Sequence, residues 1–132
     1  MRKRTILFLL IGLLALSSAA FAANWKLVYR GDDPAMGMIT VYIDSDSIVR
    51  NGDHLTYWTL SVYDLPFLDI KKMKCHHEVT LSNPRQMRDL GCISYDSNDH
   101  ETGGRGSTVT EWQPVDEPQE IKEIEFALRY AK

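Results

Sequence analysis

Only two cysteines, Cys75 and Cys92, occur in the 132 residues of the chain, and that scarcity allows one cystine and no disulfide framework. Positive charge is also short: the formal net charge is −3 at pH 7. A nucleic-acid binder needs a basic footprint, so that class is set aside. No apolar run reaches the ~20 residues that a membrane-spanning helix requires. Nor does any serine, cysteine or carboxylate pair have a base beside it at a spacing that would support catalysis. The sequence therefore predicts no enzyme and no cofactor.

What is present begins with an export signal. Arg2-Lys3-Arg4 precedes the apolar stretch from Ile6 to Leu16, and Ala20-Phe21-Ala22 fits the small-residue cleavage pattern. Residues 1–22 read as a signal peptide and residues 23–132 as one α+β domain. The signal takes three of the fifteen Lys and Arg and none of the eighteen Asp and Glu, which leaves the mature chain at −6. Export places it in the periplasm, on the cell surface or outside the cell. There the two cysteines are expected to be oxidised.

The mature chain is organised around residues 39–64. Met38 to Ile43 is rich in β-branched and aromatic residues and reads as a strand. Asp44-Ser45-Asp46-Ser47 and Asn51-Gly52 are turn signals, and His54 to Asp64 is a long second strand. Its alternation puts Trp58, Leu60 and Val62 on one face, expected to be the core. Tyr57, Thr59, Ser61 and Tyr63 take the other, so Tyr57 and Tyr63 are candidates for a semi-exposed binding surface. Leu65-Pro66-Phe67 is expected to break the strand. Earlier, Trp25 to Arg30 reads as a first strand ending in a turn at Gly31-Asp32-Asp33-Pro34. Arg30-Gly31-Asp32 there spells an integrin-binding tripeptide, which is also an ordinary strand end.

Lys72 to Leu81, a turn at 82–85 and Gln86 to Tyr95 form a hairpin. With Leu81 opposite Gln86, Cys75 and Cys92 stand directly opposed, close enough for a disulfide. Met73, Cys75, His77, Val79, Leu81, Leu90 and Cys92 then share an apolar face, with Arg88 as its one misfit. Lys72, Lys74 and His76 form a basic row on the other face. They are candidates to bind an acidic segment or a sulfated glycan, although lysines guarding an edge strand would look the same. Thr108 to Trp112 is expected to be a short last strand. A helix opening near Pro118 places Ile121, Ile124, Ala127, Leu128 and Ala131 on one stripe.

No metal site is expected. His76 and His77 point to opposite faces, and His76 with Glu78 falls short of the three or four ligands zinc needs. Asp44-Ser45-Asp46 lacks the later positions of a calcium loop, and Gly103-Gly104-Arg105-Gly106 lacks the lysine of a phosphate loop.

Several stretches together resemble the bacterial surface-adhesin protein E family. They are Trp25 with Leu27-Val28, Val41-Tyr42-Ile43-Asp44 with Ser47-Ile48, and Asn51-Gly52 ahead of the Trp58 strand. Arg85-Gln86-Met87-Arg88 and Trp112-x-Pro114-Val115 complete the set. The resemblance implies an antiparallel β-sheet of five or six strands with a C-terminal α-helix packed on one face. It also implies adhesion to host extracellular-matrix proteins and a homodimer. The family ties helix to sheet with cysteines where this chain has Leu81 and Lys132, and no cysteine for a lipid anchor follows the signal. A soluble periplasmic protein that binds a small ligand such as haem, or serves the envelope, is the alternative.

Overall fold

The computed structural model describes residues 23–67, 69–103 and 108–131; the expected signal peptide lies outside them. Among the described residues, seven strands form one antiparallel sheet: β1 (Trp25–Asp33), β2 (Gly37–Asp44), β3 (Val49–Asn51), β4 (His54–Phe67), β5 (Ile70–Thr80), β6 (Gln86–Tyr95) and β7 (Gln113–Pro114). Their order is β1-β2-β4-β5-β6-β7, with β3 bonded to β4, and the sheet curls into a half-barrel. A helix, α1 (Pro118–Tyr130), follows β7. The expected α+β architecture is the observed one.

The corner between β2 and β4 is held by its own polar side chains. Asp44 accepts from the backbone N–H of Asp46 at 3.1 Å and of Asn24 at 2.9 Å. Ser47 Oγ donates to the Asp44 carbonyl and accepts from the Trp58 N–H, tying the turn to β4. Gly52 adopts a φ of 61°, which a side chain would resist.

Four local expectations change. β1 runs through Asp33, so Arg30-Gly31-Asp32 is paired strand opposite Thr40, Ile39 and Met38 rather than a turn. β4 continues past Pro66, because the ladder to β5 is interrupted between Val62 and Phe67 and asks no hydrogen bond of the proline there. The last strand is Gln113–Pro114, not Thr108 to Trp112. Finally, the core lies on the face opposite to the one expected of β4. Leu55, Tyr57 and Thr59 are buried, whereas Trp58, Leu60 and Val62 are only half-buried.

The helix causes that reversal. Its Ile124 and Ala127 close over Ile43, Leu55, Tyr57, Val79 and Met87 in one cluster. Burying a side chain such as Ile124 contributes roughly 1.5–3 kcal/mol. Pro118 sits in the first turn, and Glu117 and Glu120 form a reciprocal capping box. The helix stripe is also rotated from the expected one: Ile121 is 42% exposed while Glu123 is 1% exposed. A stripe read from apolar residues alone could not place a buried glutamate.

Candidate functional site

The β5–β6 ladder explains Arg88. From Lys72↔Tyr95 to His76↔Gly91, including Cys75↔Cys92, the expected register holds, and the disulfide is formed. A bulge then shifts the ladder, so that His77 opposes Asp89 and Glu78 opposes Arg88. The extra residue reverses which side chains point inward. Arg88 turns out and bonds Glu78 at 2.8 Å, Leu90 turns out to 45% exposure, and Met87 and Asp89 turn in.

Under the helix this builds a polar cluster. His77 Nδ1 lies 2.8 Å from Asp89 Oδ1, and His77 Nε2 lies 2.8 Å from Thr59 Oγ1. Asp89 Oδ2 accepts the Val109 N–H at 3.0 Å, and the Asp89 N–H donates to the Val109 carbonyl at 2.7 Å. From the helix, Glu123 Oε1 accepts the Tyr57 hydroxyl at 3.2 Å and stands 3.9 Å from His77 Nε2. Gln119 Nε2 donates to Glu123 Oε2 at 3.0 Å. Among the described residues no buried side-chain nitrogen or oxygen lacks a partner.

Charge follows from this packing. Burial raises the Glu123 pKa, and the nearby imidazole and two donors only partly oppose it. Burial and then the Glu123 charge raise that of Tyr57. For His77, burial works to lower the pKa, but the Asp89 bond and the Glu123 charge outweigh it and the net shift is upward. Burial likewise opposes the net downward shift of Asp89, which its bonds to His77 and Val109 impose. Asp89, His77 and Thr59 stand in the carboxylate–imidazole–hydroxyl order of an acyl-transfer triad. Thr59 is only 2% exposed, so the hydroxyl that would attack has no route to a substrate.

The opposite face of the sheet is open. The basic row lies there, on a strand flanked by β4 and β6, so these lysines do not guard an edge. His76 stacks on Trp58 at 4.8 Å, and Lys74 Nζ lies 5.3 Å over the Tyr95 ring. Lys72 pairs with Asp99 at 2.8 Å. Lys72, Lys74, Tyr95 and Asp99, with Trp25 and Leu60, line a cleft of about 270 Å³ beside the His76–Trp58 stack. Burial and then the neighbouring His77 lower the His76 pKa.

The structure thus unites Lys72, Lys74 and His76 but separates them from Tyr57 and Tyr63. Tyr57 is wholly buried on the helix side and offers no binding surface, a correction that follows from the reversed faces. Tyr63 shares that side, half-buried opposite Ile39. Asp89 and Glu123 were missed as inward-facing groups. The Arg88 misfit was the sequence signal for the bulge that turns Asp89 inward.

Fold and sites together define an antiparallel α+β protein with one helix-covered and one open, aromatic and basic face. No family model, no curated protein and no solved structure matches this chain.

Proposed function

We propose that the chain is an exported, non-enzymatic, adhesin-like binding protein that holds a sulfated glycan of the extracellular matrix on its open sheet face. The cleft between Trp25 and Tyr95 carries the reading. It combines aromatic side chains with Lys72 and Lys74 in a chain whose overall charge is negative. Aromatic faces suit the C–H faces of a sugar ring, and the ammonium groups suit its sulfates. Lys72 is shared with Asp99, so Lys74 is the principal cation. Burial of the Thr59 hydroxyl, the nucleophile such a triad would need, supports a non-enzymatic role.

Residues 23–132 should be retained on an immobilised sulfated glycan and released by salt, while Lys72→Glu/Lys74→Glu passes through. Equal retention of the double variant removes this face from the proposal. Equal binding to matrix protein stripped of its glycans assigns the face to polypeptide instead and overturns the glycan reading. Surface or medium fractions support adhesion; a purely periplasmic location contradicts it.

A further inference from the structure

We propose that, when its two thiols are reduced, the folded chain binds one zinc ion between β5 and β6 through Cys75, Cys92 and the Asp89 carboxylate. Ligand atoms from these three residues lie within 4.8 Å of one another. Zinc–sulfur bonds of about 2.3 Å and zinc–oxygen bonds of about 2.0–2.2 Å place tetrahedral ligands roughly 3.5–4 Å apart, so small movements suffice. Parting the two sulfurs on reduction moves them in that direction.

The bulge supplies the third ligand. In an unbroken ladder Asp89 would point away from the cysteines; the extra residue turns it to their side of the sheet. The carboxylate is also held in place. His77 Nδ1 bonds Oδ1 at 2.8 Å and the Val109 N–H bonds Oδ2 at 3.0 Å. Each oxygen keeps a further lone pair for a metal, and outer bonds of this kind fix ligating carboxylates. A cleft of about 230 Å³, lined in part by His77, Asp89 and Glu123, opens beside the carboxylate, and a water would complete four-coordinate zinc.

The cystine and the metal exclude each other, because sulfurs joined to one another have no thiolate to offer. Binding releases two protons as Cys75 and Cys92 become thiolates on zinc. Oxidation by a disulfide compound then ejects the ion. The two sulfurs join and pass two electrons to the oxidant, whose own S–S bond breaks into two thiolates that take up protons from water. A newly exported, still reduced chain needs no reductant to reach the zinc-binding state, and zinc should delay its oxidation.

The test uses residues 23–132, reduced by a phosphine without oxygen, with cobalt(II) as a visible probe and zinc as its competitor. One equivalent of cobalt should give thiolate charge-transfer absorption that zinc abolishes. The oxidised chain should show none. Cys75→Ser and Cys92→Ser should remove the signal, and Asp89→Asn should weaken binding at least tenfold. Circular dichroism of the oxidised Asp89→Asn chain checks that its fold survives. Zinc, but not magnesium, should slow cystine formation by oxidised glutathione. A folded reduced chain without the absorption, or Asp89→Asn binding as tightly as wild type, overturns the proposal. A reduced chain that loses its circular dichroism and does not regain it with zinc overturns it equally.

Discussion

The Tyr57 hydroxyl donates to Glu123 Oε1 at 3.2 Å, joining the middle of β4 to the helix inside the core. Tyr57→Phe removes a donor from a buried carboxylate and should cost about 1–3 kcal/mol of stability. Replacing both partners, as in Tyr57→Phe/Glu123→Leu, should cost less than the two single changes added together, because neither polar group is then left alone. Urea unfolding of the four proteins measures the coupling. Simple additivity would mean that the bond does not help dock the helix.

The same cluster sets the dependence of stability on pH. The raised folded pKa of His77 adds stability that is complete below its unfolded value of ~6.5 and lost as pH rises through the folded value. The depressed pKa of Asp89 adds stability present above its unfolded value of ~3.9 and lost as pH falls through the folded one. Glu123, shifted upward, tilts the intervening plateau down with rising pH. Melting temperature should therefore fall on the alkaline side of the ordinary imidazole range, and His77→Gln should flatten that limb. Identical profiles for the two proteins would refute this assignment.

The helix is anchored by Ile124 and Ala127, with Leu128 and Ala131 packed beside them, while Ile121 stands outside the core. Ile124→Ala should cost roughly 2–5 kcal/mol, the range for a large buried aliphatic. Ile121→Ala and Lys122→Ala, at exposed positions, should stay within about 0.5 kcal/mol. Denaturant midpoints for the three variants decide the point. Equal losses at 121 and 124 would place the helix in a different rotation.

Binding on the open face should weaken as salt is added, since its charges are in contact with solvent. It should strengthen with acid only below the ordinary imidazole pKa of ~6.5, because burial holds the His76 value lower. Retention on the immobilised glycan across salt and pH tests both; strengthening already complete at neutral pH would take His76 out of the site.

Much of the architecture was legible in the sequence because it is encoded locally. Alternation of β-branched and aromatic residues marked the main strands, and Asp, Ser and Asn-Gly marked the corners. The hairpin register set by placing Leu81 opposite Gln86 holds at Cys75 and Cys92, whereas on the turn side of the bulge Gln86 pairs with Thr80 instead. The basic row at 72, 74 and 76 likewise needed only the period of a strand.

Only the tertiary structure decided which face of β4 was the inside. Tyr57 and Trp58 are both amphipathic aromatics, so alternation separates two faces without saying which one the helix will cover. The bulge is equally non-local: a one-residue slip reverses every side chain beyond it, and the inward Asp89 finds partners distant in the chain. Asp89 meets His77 and Val109, while Glu123 arrives from the helix to meet Tyr57. Sequence spacing fixed the elements because neighbours in the chain determine them; the polar cluster came from distant residues that become neighbours only when the helix closes on the sheet.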